Sequence, residues 1–387
     1  MSPLTPELEL LCRLLPVHFR GELPLPESWG GANPEALYRL ILKTSLAPHA
    51  FRQWMELPAL WERTPFETRA KVFGSLEIHR ARQECLFKAW GELLEQFGRA
   101  GLAVIPVKGF VRSQFLYGEP FRRASCDFDL LVRRAGLDRA HGFLESHGFS
   151  CVKWEGRRLA AESSWTRPEA EGSPAVMVDL HWDVNPGWHF LAAPIEPAWD
   201  RAIRTETAGV SHLRLAAGDM LWFDLVNNVS DYGLGNLRGC VEALEGLACL
   251  GEADAPVFRE RLAASRAYRL LRALESFRRG FFPGTPPGLV TRWQTPPGQP
   301  PGRAFESLFG QEALYLAGVK APLGQRARIR LALAGSPWRF LRFGLGKFAW
   351  HALAGARRKR SPFSRRRPEP YGHNRTNPGA AASQPKI

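Results

Sequence analysis

The sequence predicts an α+β protein, a small mixed β-sheet core flanked by N- and C-terminal helical regions. Apolar residues recur at helical spacing through residues 1–99 and again through 201–282. Between them, over residues 100–200, short apolar or alternating runs of strand character are broken by helix-like stretches and glycines. With 387 residues and 45% hydrophobic content, the chain has length for two or three units and material for a core.

The elements follow in order. Pro6-Glu7-Leu8-Glu9-Leu10-Leu11-Cys12-Arg13-Leu14-Leu15 repeats leucine at helical spacing. Asn33 caps a second helix, with Pro34 in its first turn. Thr64-Pro65-Phe66-Glu67 begins the longest one, which passes Cys85 and Trp90, nears Phe97 and ends at Gly101. Leu102–Val107 is then a short apolar strand, Lys108-Gly109 a turn, and the stretch to Tyr117 helical. A strand runs through Asp127–Val132, and a helix follows over Leu137–His147, with Ala140, Phe143 and Leu144 on one side and Gly148 closing it. Phe149–Trp154 is a strand, the polar stretch Glu155–Ser173 a loop or hairpin, and Ala175–Trp182 a strictly alternating strand. This order predicts a mixed sheet with helices on one face. From Ala216 to Phe277 the pattern is helical again, with Gly218 or Asp219 as cap. Residues 283–335 read as a Pro/Gly-rich linker and helix, 336–367 as a basic amphipathic segment, and 368–387 as a disordered tail.

Composition excludes several classes. No run approaches the roughly 18–20 apolar residues of a membrane span. The N-terminus lacks the basic start and apolar stretch of a signal peptide, which predicts a cytoplasmic protein. Cys12, Cys85, Cys126, Cys151, Cys240 and Cys249 have no CxxC spacing and read as reduced, mostly buried thiols. There is no P-loop motif, and no Gly-x-Gly-x-x-Gly follows a strand. The net charge of +14 is local: residues 324–387 hold 15 Lys and Arg against one acid, Glu369, while residues 1–323 balance at 37 and 37. Overall basicity therefore says nothing about the core.

The most informative stretch is Arg122-Arg123-Ala124-Ser125-Cys126-Asp127-Phe128-Asp129-Leu130-Leu131-Val132. Strand alternation puts Asp127 and Asp129 on one face, about 7 Å apart. Such acids repel unless a cation or basic group intervenes, and a divalent metal, Arg122 or Arg123 would each answer. Asp179 shares a face with His181, opposite Val178 and Leu180, and adds a third carboxylate of the kind two-metal phosphoryl or nucleotidyl transfer uses. The plainer alternative is a solvated Asp179 with His181 packed at an edge. At the Lys108-Gly109 turn, glycine permits close approach of a phosphate, the helix start offers free amides, and lysine adds charge; an ordinary tight turn is the alternative.

Together, Val107-Lys108-Gly109-Phe110, Tyr117-Gly118-Glu119-Pro120-Phe121-Arg122-Arg123, Asp127–Val132, Gly148-Phe149 and Val178-Asp179-Leu180-His181-Trp182 resemble the uncharacterised nucleotidyltransferase family, within the polymerase-beta-like superfamily. The resemblance covers about residues 100–250. It implies an enzyme that transfers a nucleotidyl group from an NTP to an acceptor hydroxyl on a small molecule or protein. Asp127 and Asp129 would be ligands for Mg²⁺ or Mn²⁺, with Asp179 the third carboxylate. Lys108 and Gly109 would form the phosphate-binding turn, and Arg122 or Arg123 would meet the triphosphate. Asp224, Asp231 and Arg238 read as helix-surface or capping residues. A non-catalytic binding or scaffold protein on the same fold is the second reading.

The third reading lies in the C-terminal segment. Trp338, Leu341, Leu345, Phe348 and Ala352 form an apolar stripe ahead of Arg357-Arg358-Lys359-Arg360 and Arg365-Arg366-Arg367. Such a segment lies on an anionic membrane surface, packs its stripe on the core and leaves a solvated tail, or binds nucleic acid through phosphates; the sequence leaves the three open. If the tail carries a membrane or RNA function, deleting residues 336–387 removes liposome or RNA binding; unchanged binding in a pull-down would rule that role out.

Overall fold

The computed structural model describes residues 5–19, 27–44, 46–153, 160–170, 174–187, 189–232, 237–282, 284–286, 288–293, 338–339, 341–343 and 345. Four helices lead in. In α1 (Pro6–Leu14), the Thr5 hydroxyl accepts the Leu8 N–H at 3.3 Å. In α2 (Pro34–Leu42), the Asn33 side chain accepts that of Ala36 at 3.0 Å. Both caps answer amides that the first helical turn leaves unpaired. Helices α3 (Ala47–Met55) and α4 (Pro58–Trp61) precede the 34-residue α5 (Phe66–Arg99), whose second half buries Leu86, Trp90, Leu93, Leu94 and Phe97.

The sheet follows: β1 (Val104–Val107), α6 (Gly109–Tyr117), β2 (Phe128–Val132), α7 (Leu137–Ser146), β3 (Ser150–Lys153), β4 (Glu162–Arg167) and β5 (Val176–His181). Its order is β1-β2-β5-β4-β3. Strands β2 and β5 run parallel at its centre, and the other pairings are antiparallel. The polar stretch after residue 155 resolves into the hairpin alternative, with β4 as the return arm beside β3. Its serines mask the alternation that buries Ser163 and Trp165 and turns Glu162 and Ser164 the other way.

Helices cover both faces of this sheet, a correction to the one-sided expectation. Phe128, Leu130, Val132, Val178 and Leu180 pack with the inner stripe of α5 and with Leu137, Ala140 and Leu144 of α7. Ile105, Val107 and Leu131, on the opposite side, join the second core. Strand β2 is therefore buried along its whole length.

That second core is completed by α8 (Glu196–Asp200), α9 (Ala217–Tyr232), α10 (Leu237–Cys249), α11 (Ala255–Ser265), α12 (Tyr268–Phe281) and α13 (Gly288–Thr291), and β6 (Ile203–Thr207) pairs with β7 (Val210–Arg214), which packs Leu213 against it. The β6–β7 hairpin was not legible in the pattern. It seats on α5 where Gly91 leaves room: a Cβ there would stand 3.1 Å from Val210 Cγ2. Asp219 does not cap α9. It lies in the first turn, fully buried, taking two bonds of 2.9 Å from Arg201 and one of 2.6 Å from Arg261. The cysteines also depart from expectation: Cys12 and Cys240 are buried, but Cys85, Cys126 and Cys151 are exposed.

Most of the linker, the polybasic run and the tail lie outside the described residues. Within the described part, Trp338, Leu341 and Leu345 are exposed, so the stripe does not face the core. Phe343, off that stripe, is buried edge-on to His189 and Phe190, at 5.2 and 5.3 Å. Among the described residues no helix is long and apolar enough to cross a membrane.

Leu180 lies on β5, the middle strand of the sheet, with no exposed surface. Leu180→Ala should cost roughly 2–5 kcal/mol in urea unfolding, and a loss below about 1 kcal/mol would contradict this packing.

Candidate active site

The parallel pairing of β2 with β5 builds the site. It sets Asp129 opposite Asp179 and Leu131 opposite His181. On the other side of β5, Ser164 and Glu162 of β4 pair with Asp179 and His181. In-register residues share a face, so one side of the sheet carries Asp129, Asp179, His181, Ser164 and Glu162. The carboxylates thus come together through strand register, although they are far apart in sequence.

Lys108 closes the row at the end of β1. Its backbone stands at φ 58°, ψ −153°, sparsely populated for a residue with a side chain. Gly109 follows at φ +47°, and a Cβ there would stand 2.9 Å from Ser125 Oγ. Only glycine fits that approach, and it opens α6. From this turn Lys108 Nζ donates to Asp129 Oδ1 at 2.7 Å. His181 Nε2 meets the same oxygen at 2.9 Å. His181 Nδ1 lies 3.6 Å from Glu162 Oε2, and Lys153 Nζ reaches Glu162 Oε1 at 2.6 Å. The row Lys108–Asp129–His181–Glu162–Lys153 therefore crosses all five strands. Phe223 of α9 stands edge-on over His181 at 5.8 Å.

The three aspartates feel this arrangement differently. Burial would raise the carboxyl of Asp129, but the Lys108 charge and the His181 hydrogen bond hold it well below the usual range. Asp179 is pushed up to about 6 by burial and by the Asp129 charge, with the Ser164 hydroxyl drawing it back. Asp127, one residue ahead of β2, is raised by the same two causes. Asp179 Oδ1 is buried and has no hydrogen-bond partner.

The two arginines part. Arg122 turns to the N-terminal helices, donating to His49 Nδ1 at 3.3 Å, with Glu56 at 3.5 Å and Glu119 at 3.6 Å. Arg123 turns toward the site. Its Nε donates to Glu242 Oε1 of α10 at 2.8 Å, and Asp129 and Asp127 contribute to its field. Behind it, Arg112 Nη1 stands 2.8 Å from Asp224 Oδ1, and its Nε 3.4 Å from Glu242 Oε2. Burial opposes the Glu242 charge, yet Arg123 and Arg112 pull it down to about 2. Burial raises Asp224 to about 6, Arg112 notwithstanding. Asp224 is therefore a buried partner of Arg112, a correction to the helix-surface reading, and Arg238 lies 3.9 Å from Glu242. The side chain of Asp231 lies outside the described residues.

Lys108, Gly109, Asp127, Asp129, Asp179 and Arg123 thus gather about one face, and Arg122 does not join them. Sequence reasoning missed Glu162, Arg112 and Glu242, and gave His181 no contact with Asp129. The alternation Glu162–Trp165 was the available signal for Glu162; Arg112 and Glu242 sit inside helices with no local mark.

Among the described residues no three His, Cys, Asp or Glu side chains already enclose a point suited to a metal ion. The chemistry of the donor set nevertheless fits a divalent cation. An unpaired buried carboxylate oxygen on Asp179 stands beside Asp129, and burial and the Asp129 charge raise both Asp127 and Asp179, a strain that a divalent cation relieves.

Sheet order, the Lys108-Gly109 helix entry and aspartates on adjoining strands point to the nucleotidyltransferase class. The chain belongs to the uncharacterised nucleotidyltransferase family, which matches it over residues 30–278. Among solved structures, an antigenic nucleotidyltransferase-like protein from Paracoccidioides brasiliensis is similar at 14% identity and a TM-score of 0.31, covering 46% of this chain and 86% of that one. No curated protein matches the chain.

The raised Asp179 gives a pH dependence of definite sign. Between about pH 4 and 6 the folded state keeps a proton the unfolded chain has lost, so stability rises as pH falls from 7 to 5. In a chelator, Asp179→Asn should stabilise the protein at pH 7.5 by on the order of 1–2 kcal/mol, with the gain fading toward pH 5. A gain that does not change with pH would show that Asp179 titrates normally.

Proposed function

We propose that the protein is a metal-dependent nucleotidyltransferase that moves a nucleotidyl group from an NTP to an acceptor hydroxyl on a small molecule or protein. The observation that carries this reading is the juxtaposition of Asp129 and Asp179 on the parallel pair β2–β5, with the Lys108-Gly109 turn at the neighbouring strand end. Family membership supports it.

Asp127, Asp129 and Asp179 would hold Mg²⁺ or Mn²⁺. Such a cation, when bound, offsets the negative charge of the phosphates and of the oxygens that enter and leave. The amides at the start of α6 and the Lys108 ammonium bind phosphate oxygens, and Gly109 lets the backbone approach them. Arg123, rather than Arg122, would meet the triphosphate: Glu242 holds its guanidinium, and the charges of Asp129 and Asp127 reach it. Asp179, whose Oδ1 is without a hydrogen-bond partner, would complete the cation's shell and receive the proton of the attacking hydroxyl. The buried pairs behind Arg123 keep the guanidinium in place without reorganisation as charge develops.

A screen of the four NTPs with Mg²⁺ or Mn²⁺ tests this through thermal shift and transfer of labelled nucleotide. Asp127→Ala, Asp129→Ala and Asp179→Ala should each abolish transfer, and full retention in any of them would sink its assigned role. Arg123→Ala should weaken NTP binding by about tenfold or more, and Arg122→Ala by about threefold or less; the reverse order would exchange the two assignments.

A further inference from the structure

Asp129 already has a positive partner in direct contact. Lys108 Nζ lies 2.7 Å from Asp129 Oδ1, and His181 Nε2 lies 2.9 Å from the same oxygen. The lysine and aspartate side chains are 17% and 5% exposed, so salt and water screen the pair weakly. One strand over, Asp179 Oδ1 is buried without a hydrogen-bond partner. The Lys108 charge is therefore directed at Asp129, and Asp179 has the Ser164 hydroxyl instead.

The backbone keeps the lysine there. At φ 58° and ψ −153°, Lys108 occupies a region that residues with side chains rarely enter. It is also the residue before the first turn of α6, where amides lack intrahelical acceptors. The ammonium thus stands between two anionic partners, Asp129 at its tip and any phosphate held at the helix start.

We infer that Lys108 is a placeholder cation that occupies Asp129 until a nucleoside triphosphate draws it away, so that the site admits a divalent ion only together with nucleotide. This rests on the metal-dependent reading above and adds its order of loading. An ammonium and a divalent ion on one carboxylate oxygen repel strongly in a buried setting. A polyphosphate removes the conflict by giving Lys108 another anion. Linkage then requires nucleotide and metal to tighten one another by the same factor.

Equilibrium dialysis of the full chain against Mn²⁺, with and without each NTP, reads this directly and needs no turnover. In the wild type, protein-bound Mn²⁺ should be weak alone and about tenfold or more tighter with a nucleotide. Lys108→Met removes the charge and keeps much of the stem. It should bind free Mn²⁺ about tenfold more tightly than wild type and lose most of the nucleotide dependence. Lys108→Arg keeps the charge and should keep the wild-type pattern. A folded Lys108→Met protein whose affinity for free Mn²⁺ is equal to or below that of wild type overturns the inference. If that variant does not fold, the wild type decides alone, since equal Mn²⁺ affinity with and without nucleotide also overturns it. Nucleotide-independent Mn²⁺ uptake leaves the metal-dependent reading standing, whereas no uptake under any condition ends both.

Discussion

Everything at this site is arranged about one buried carboxylate, Asp129, and the two groups that hold it. Its strand has helices over both faces, so its charge would be costly without partners. Lys108 and His181 supply them from the two neighbouring strands, at 2.7 and 2.9 Å. The three elements are interdependent. The β1 turn must place Lys108 with an unusual backbone, β2 must carry the acid, and β5 must pair in parallel so that Asp179 falls opposite Asp129 and His181 opposite Leu131. A slip of one residue between β2 and β5 would turn Asp179 and His181 into the apolar core and Val178 and Leu180 onto the charged face.

Charge in the core is organised in two layers. The sheet face carries Asp129, Asp179, His181 and Glu162, and behind it α6, α9 and α10 contribute Arg112, Asp224 and Glu242. Arg123 connects them. Buried ion pairs contribute little net stability against well-packed apolar residues, but removing one partner is expensive. Their use here is positional. Glu242 and Arg112 lock Arg123, as Glu162 and Lys153 back His181. The neutral balance of residues 1–323 agrees with this: the local field comes from a few oriented groups rather than from overall basicity.

Much of this was legible from periodicity. The Asn33 cap with Pro34 in the first turn, the long helix from Thr64-Pro65, and the alternation around Asp179 have local causes, and local causes leave local marks. Both-sided burial of β2 left none, because Asp127 and Asp129 mimic the polar face of an edge strand. Strand β4 was obscured because Glu162, Ser163 and Ser164 are all polar even though Ser163 is buried. The split between Arg122 and Arg123 was beyond reach for a further reason. Adjacent residues differ in destination only through partners such as His49 and Glu242, which lie 73 and 119 residues away. Asp219 looked like a helix cap, and Asp224 like a helix-surface or capping acid, until Arg261 and Arg112 arrived from other elements.

Under the proposed function, the polar face of β2 and β5 receives a metal-bound nucleotide. The most direct measurement is anomalous scattering from crystals grown with Mn²⁺ and a non-hydrolysable NTP analogue. A manganese peak is expected within about 2.5 Å of carboxylate oxygens of Asp129 and Asp179, with the triphosphate against the Lys108-Gly109 turn. Manganese bound elsewhere, with the Lys108–Asp129 pair intact beneath an empty face, would contradict it.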